Sequence, residues 1–513
     1  MEKQVNHMKK FKTLIIASLM LLSISISYSQ KAEEKIDVFL TSYEKAYELS
    51  GTVLVIEKGK TIYQKAFGFA NREFDIPNNV DTKFRIASLT KTFTALVLMR
   101  MIEENQLKLN DPVSKYVSHY PSSEKGKIPT IKQLLNHSSG LPHYEGLDEL
   151  NINWDAYRST PMKKDSLVKL VSKMKLKFEP GTKHRYSSFG YLLLGCIIEK
   201  VSDNTFAYNI DKYINNPLGL KNTGFFESNR LVKNKATGYI KVYKKYNDGA
   251  VYMGYEKADY RDQAITFSTG GVHSNLEDLR KLANGFMQNK IVSQQTRKLM
   301  LDTEKNWGLG LKVFDESVWG LDYKLKLITM DGVDDGYSSR LSIINDGEII
   351  IIILGNAGRS TETSYITRTI VELLNGKKGK KLRELAAIEI AHRIINEGLD
   401  SAIKRYNTLY NNGNIKKSSY YFSEDSFNTL GLRLMRNLGM IKEAIQVFQW
   451  NVKMHPKSIN PYDSLAEAYM EDGNIEKSTH YYTITLQMLE KEEKKDTEWI
   501  DHVKKQLKKL KGV

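Results

Sequence analysis

Two pairs of short apolar runs frame the first part of the chain. Gly51-Thr-Val-Leu-Val-Ile56 and Thr61-Ile-Tyr-Gln-Lys-Ala66 are rich in β-branched residues and are joined by Glu57-Lys-Gly-Lys60, a hairpin turn signal. Far downstream, Arg340-Leu-Ser-Ile-Ile344 and Glu348-Ile-Ile-Ile-Ile-Ile-Leu354 flank Asn345-Asp-Gly347, a stronger signal of the same kind. Between the two pairs, apolar residues recur at helical spacing over Leu89 to Glu103, Ile131 to Leu135, Tyr191 to Val201 and Leu279 to Met287. The pattern predicts an α+β fold: an antiparallel sheet formed by N- and C-terminal hairpins, with an inserted helical region. The first of those helices is apolar almost all round, through Phe93, Ala95, Leu96, Val97, Leu98 and Met99, which predicts a buried position where sheet and helices meet.

After Asn375 the chain changes character, and Lys377-Lys-Gly-Lys-Lys381 leads into charged helical sequence that lacks strand signals. There Ala444 and Phe448 are echoed by Ser478 and Tyr482, with Pro456 closing the first unit and Leu465-Ala-Glu-Ala-Tyr469 opening the second. The echo resembles tetratricopeptide helix pairs. The expected organisation is a signal peptide over 1–29, an α+β domain over 30–375, a helical linker over 376–422 and a tetratricopeptide-like helical domain over 423–513. Two repeat units are fewer than usually stand alone, so they are expected to lean on the linker helices or on the first domain. The tail from Lys491 to Val513 reads as a solvated capping helix.

Length and composition refine this picture. At 513 residues the chain exceeds one ordinary core, and no interior apolar stretch is long enough to span a bilayer, which excludes a multispan membrane protein. Lys9, Lys10 and Lys12 precede the apolar run Leu14 to Ile26 and then Ser27-Tyr28-Ser29, the build of a cleaved secretory signal, so a periplasmic or secreted protein is expected. The net charge of +16 is spread along the chain and mixed with acidic residues, and no nucleic-acid module is visible. No metal-ligand spacing is present, and no cofactor is expected. The single cysteine, Cys196, cannot form an internal disulfide and reads as a core residue rather than a nucleophile.

Ser88-Leu-Thr-Lys91 places a hydroxyl and an amine one helical turn apart, where the amine can take the hydroxyl proton during acyl attack. Ser122/Lys125, Ser166/Lys169, Ser172/Lys175 and Ser401/Lys404 share the spacing but lie in polar sequence. Only Ser88 stands between an extended segment, Thr82-Lys-Phe-Arg-Ile-Ala87, and a buried helix, where Lys91 can be desolvated and lose its proton near neutral pH. A plain helix N-cap is the competing reading of a serine at such a junction.

The surrounding words decide between the two. Phe84-Arg-Ile-Ala-Ser-Leu-Thr-Lys-Thr-Phe-Thr94, Leu109-Asn-Asp-Pro-Val113, Ile131-Lys-Gln-Leu-Leu-Asn-His-Ser-Ser-Gly-Leu-Pro142, Phe178-Glu-Pro-Gly181, Tyr186-Ser-Ser188, Thr269-Gly-Gly-Val-His-Ser274 and Trp307-Gly-Leu-Gly310 follow one another in the order found in the serine β-lactamase, penicillin-binding protein, D-Ala-D-Ala carboxypeptidase and esterase superfamily, which the first domain resembles in its class C-like branch. The resemblance implies an acyl-enzyme on Ser88, proton transfer by Lys91 and Tyr186, substrate contacts at Ser188, Gly332 and Val333, and backbone N–H groups of Ser88 and Val333 holding the oxyanion.

Two positions depart from that pattern. Ser188 replaces the asparagine of the second motif, and Met330-Asp-Gly332 aligns with the third motif but lacks its basic residue. Lys326 is four extended residues from Met330 and too distant to replace it, and His143 and His273 read as structural. The resemblance implies peptidoglycan stem peptides, β-lactams or small esters as substrates, and the missing cation favours a D-amino-peptidase or esterase over a potent β-lactamase. The contrasting expectation is a silent penicillin-binding-like protein that binds a protein partner through its helical repeats.

Overall fold

The computed structural model describes residues 30–44, 49–117, 128–153, 157, 160, 162–225, 231–246, 249–258, 266–303, 306–314, 324–357, 360–377, 384–410, 420–436, 438–492 and 496–510. The expected signal peptide lies outside them. The chain divides into two compact units, Met1–Ile240 with Glu256–Lys377, and Lys241–Tyr255 with Lys378–Val513.

In the first unit both expected hairpins form. They comprise β1 (Ser50–Glu57) with β2 (Lys60–Phe67), and, after β3 (Lys312–Phe314) and β4 (Leu327–Asp334), β5 (Tyr337–Ile344) with β6 (Ile349–Ala357). Their turns use left-handed residues, Lys58 and Gly59 in the first and Asn345, Asp346 and Gly347 in the second. The sheet order is β3-β4-β5-β6-β1-β2, antiparallel throughout this path. β1 and β6 pair from Ser50↔Ala357 to Glu57↔Ile349, so the two ends of the unit meet at the sheet centre. Every residue of β6 is buried, which is why it reads as an unbroken isoleucine run rather than an alternation.

The inserted region supplies α1 (Thr90–Glu103), α2 (Ser188–Ser202) and α3 (Leu276–Met287), and a further helix, α4 (Ser360–Leu374), follows β6. As its all-round apolar pattern predicts, α1 is buried at eleven positions and lies in the main core. Ser268 stitches it to α2: its carbonyl accepts from Thr94 Oγ1 at 2.7 Å, and its hydroxyl donates to the Tyr191 carbonyl at 2.9 Å. Gly195 leaves room for it, since a Cβ there would stand 2.3 Å from Ser268 Oγ. A helix over residues 30–44 precedes β1 and is anchored by Asp37, which accepts from Tyr63 at 2.8 Å and Lys65 at 2.7 Å. The lysine bond is the main cause that holds the Asp37 carboxyl below its ordinary value.

The second unit contains the helices Ala386–Glu397, Leu399–Tyr410, Glu424–Arg436, Ile441–Met454, Asn460–Glu471, Ile475–Lys491 and Thr497–Leu510. The expectation of no strands after Asn375 is corrected by a two-residue parallel pair, Glu384↔Tyr420 and Leu385↔Tyr421. Such short segments carry no periodicity to read. The helices from 386 to 410 share one core with those that follow, through Tyr406 stacked on Trp450 at 4.2 Å. Ala444, Phe448, Ser478 and Tyr482, the echoed positions, are all buried. The last helix is not wholly solvated: it buries Ile500 and Val503 against Ala466, Tyr482 and Leu489.

One buried ion pair ties three segments of the first unit together. Arg85 Nε lies 2.9 Å from Asp334 Oδ2, with side-chain exposures of 8% and 7%, and the same guanidinium donates to the Gly270 carbonyl and Thr266 Oγ1. Arg85→Met removes the partner of a buried carboxylate and is expected to destabilise the unit by about 3 to 5 kcal/mol in thermal melts, with Arg85→Met/Asp334→Leu recovering part of the loss.

Candidate active site

The turn that carries Ser88 is set by local backbone. After the short strand Phe84–Arg85, Ala87 adopts a left-handed φ of 47°, and Ala87–Leu89 form a 3-10 turn leading into α1. Ser88 therefore stands in this turn, just ahead of the α-helix rather than as its first residue. Lys91, in the first turn of α1, reaches back so that its Nζ lies 3.1 Å from Ser88 Oγ and donates to the Thr269 carbonyl at 2.9 Å. Tyr186 donates to Ser88 Oγ at 2.8 Å from the opposite side. The structure thus brings Ser88, Lys91 and Tyr186 together although 98 residues separate the serine from the tyrosine.

Burial sets the protonation of this cluster. Lys91 has no exposed surface, and desolvation pulls its ammonium down to about 8, against smaller upward pulls from the Tyr144 and Asp334 charges. Burial pushes the Tyr186 phenol up to about 12, opposed by its bond with Ser88, by the nearby Ser188 hydroxyl and by the Lys312 charge. His143 is pulled down to about 4, chiefly by burial and then by Lys91, and His137 is held well below its ordinary value for the same first reason. Near neutral pH both imidazoles are uncharged. Their Nδ1 atoms accept backbone N–H bonds at 3.2 Å, His137 from Ser187 and His143 from Ser188. His143, read from sequence as structural, packs 5.2 Å from the Tyr186 ring, whereas His273 pairs with Arg85 in a small separate sheet.

Ser188 is buried at the start of α2, close enough to the Tyr144 and Tyr186 phenols to oppose the upward push that burial gives each of them. Sequence reasoning missed Tyr144. It follows His143 directly after the Leu-Pro end of a motif, and only the fold carries it to Ser188. Gly332 and Val333 lie where β4 runs past the nucleophile turn. A Cβ on Gly332 would stand 2.0 Å from the Ile86 carbonyl, so only glycine permits this approach, and Ser339 on β5 donates to the same carbonyl at 2.6 Å. Val333 exposes 46% of its surface. Because β3 pairs with β4 only through Leu327 to Thr329, residues 330–334 have no strand partner on that side among the described residues.

Met330 is only 5% exposed and packs in the core with Leu96, Leu282 and Phe286. Cys196 is partly buried, and burial pushes its thiol up to about 12, which leaves it unsuited to nucleophilic chemistry. The Trp307-Gly-Leu-Gly310 turn folds onto α1 through Thr92 Oγ1 donating to the Gly310 carbonyl at 2.9 Å. It places the Trp307 ring 5.9 Å from that of Tyr186 and 4.6 Å from that of His137.

An antiparallel sheet with an inserted helical region, carrying a buried lysine amine and a tyrosine hydroxyl that converge on one serine, defines a serine hydrolase of the β-lactamase and penicillin-binding type. The Beta-lactamase family matches residues 39–374, and the chain belongs to it. It is 26% identical over 355 residues to a putative penicillin-binding protein, PbpX, of Bacillus subtilis, covering 68% of this chain and 82% of that protein. It is 28% identical over 330 residues to the teichoic acid D-alanine hydrolase of Staphylococcus aureus, covering 64% of this chain and 74% of that protein. Among solved structures, a penicillin-binding protein homologue from Pyrococcus abyssi superposes with a TM-score of 0.56 at 28% identity, covering 70% of this chain and 81% of that one.

A lysine held near 8 in the folded state is costly to fold around. With its ordinary value near 10.5, the buried cation costs the native state on the order of 3 kcal/mol at neutral pH, partly offset by its hydrogen bonds. Because the folded pKa is the lower one, this cost is fully present below pH 8 and fades as pH rises toward 10.5. Lys91→Met is therefore expected to raise the melting temperature at pH 7, with the advantage shrinking between pH 8 and 10; a melting temperature unchanged or lowered at pH 7 would count against a buried charge at this position.

Proposed function

We propose that this chain is an exported hydrolase that cleaves D-alanyl esters or related small esters and D-amino-acid amides through an acyl-enzyme on Ser88. The observation that carries this reading is the pair of contacts on Ser88 Oγ, from Lys91 at 3.1 Å and Tyr186 at 2.8 Å. Neutral Lys91 takes the serine proton as Oγ bonds to the substrate carbonyl carbon, and the N–H groups of Ser88 and Val333 hold the oxygen that becomes negative. As the carbon–oxygen or carbon–nitrogen bond breaks, Tyr186 gives its proton to the departing group and is reprotonated by the Lys91 ammonium. Water then attacks the acyl carbon, losing its proton to the same pair, and the acid leaves with Ser88 restored.

The ester substrate class is supported by the similarity to a protein named for D-alanine hydrolysis of teichoic acid, and by the absence of a basic residue at Met330, where a carboxylate-recognising enzyme benefits from one. The leader-like sequence over 1–29 supports action outside the cytoplasm. The buried echo at Ala444/Phe448 and Ser478/Tyr482 supports tetratricopeptide-like pairs in the second unit, a scaffold suited to holding a protein segment.

Intact-mass analysis after exposure to a fluorophosphonate, and separately to a penicillin, is expected to show a single adduct with the phosphonate that is absent in Ser88→Ala. Labelling by both reagents would widen the substrate range to β-lactams, and labelling of Ser88→Ala would remove Ser88 from its role. With a D-alanyl ester, kcat/KM is expected to rise tenfold per pH unit below about 8 and level off above it, as the Lys91 ammonium loses its proton. Ser88→Ala is expected to lower kcat/KM by at least about a thousandfold.

A further inference from the structure

Tyr186 has a demanding task in this site. To protonate a leaving group it must pass through a phenolate, yet it sits in a pocket that pushes its phenol up to about 12. The groups that face it come from several elements: Lys91 on α1, the neutral His137 and His143, Tyr144 beyond the Leu-Pro segment, Ser188 on α2, Asp331 on β4 and Lys312 on β3. Asp331 opposes a phenolate, although its charge is shared with Arg340, which donates to it at 2.6 Å. Lys91 is occupied in exchanging the serine proton, so its charge comes and goes within each turnover. Met330 gives no help, being packed in the core.

Lys312 stands beyond the Trp307 ring and takes no part in the serine proton exchange. It is bridged to Trp307 across the turn, and its Nζ lies 4.9 Å from the Trp307 ring, whose other neighbours are Tyr186 and His137. Of the β3 residues it is the one paired nearest to positions 330–334, opposite Thr329 and two residues before Asp331 on β4. The turn that delivers it is rigid: a Cβ on Gly310 would stand 2.2 Å from Ala95 on α1, which leaves no slack between turn and helix.

We propose that Lys312 is a positioning residue for proton transfer by Tyr186, supplying across Trp307 the fixed positive charge that Met330 lacks. The inference rests on the acyl-enzyme reading of the site and assigns a particular step within it, protonation of the leaving group. That step separates the proposal from a structural role. An alkoxide cannot depart without a proton, whereas 4-nitrophenolate can, so loss of the charge should be felt on one ester and hardly on the other.

The test compares Lys312→Met, which keeps the stem packed on Trp307, and Lys312→Arg, which keeps the charge, using kcat/KM for D-alanine methyl ester and 4-nitrophenyl acetate in the full chain. Lys312→Met is expected to lose about tenfold on the methyl ester and less than about twofold on the nitrophenyl ester, with Lys312→Arg restoring most of the loss. Equal losses on both esters, loss on the nitrophenyl ester alone, failure of arginine to rescue, or no loss at all would each overturn it. Phosphonate labelling of wild type and variant on the same preparations keeps the two readings apart. Labelled protein without the leaving-group effect removes only the role of Lys312, while wild type that does not label at Ser88 removes the acyl-enzyme and this step with it.

Discussion

The burial of one lysine amine organises the first unit. Lys91 is wholly enclosed, with its Nζ between Ser88 Oγ and the Thr269 carbonyl and no surface open to bulk solvent. Enclosure demands that α1 be apolar around nearly its whole circumference, that α2 and the Thr266–Gly270 segment close over it, and that β4 pass near enough to exclude glycine substitutes at Gly332. The same desolvation that burdens the fold gives the amine a proton affinity suited to exchange with a serine hydroxyl near neutral pH. Stability and chemistry are thus opposed at a single side chain, as is usual where function requires a group in an environment it disfavours.

What could be read from the sequence follows from how local each signal is. The hairpins at 50–67 and 337–357 were legible because turn residues with left-handed backbone sit between β-branched runs, and α1 because it is apolar almost all round from Phe93 to Met99. Ser88, Lys91 and Tyr186 were legible as words, the first two from spacing and the tyrosine from family resemblance. Their convergence on one hydroxyl is what the fold adds. Tyr144 and Lys312 were not legible: each is an ordinary polar residue, and only the fold places Tyr144 near Ser188 and Lys312 over the Trp307 ring that neighbours Tyr186. The place of Ser88 in a 3-10 turn was also missed, since a left-handed alanine at position 87 has no sequence signature.

Substitution at Met330 illustrates how a motif position can change hands. The side chain is apolar and joins the core between sheet and helices, where a lysine would be desolvated without a partner. Ser188 likewise presents only a small hydroxyl at the buried start of α2, near the Tyr144 and Tyr186 phenols.

The pairing of β1 with β6 sets a timetable for the molecule. A hairpin made early in the chain must wait for a strand ending at Ala357 before its inner edge is covered, and the nucleophile turn cannot settle against β4 until that strand is also available. Contacts so distant in sequence close large loops and form slowly. A chain emerging from N to C terminus consequently carries an incomplete site for most of its synthesis, and gains a competent serine only when nearly the whole first unit has come together. Hydrolysis is thereby withheld from partially made or still unfolded chains.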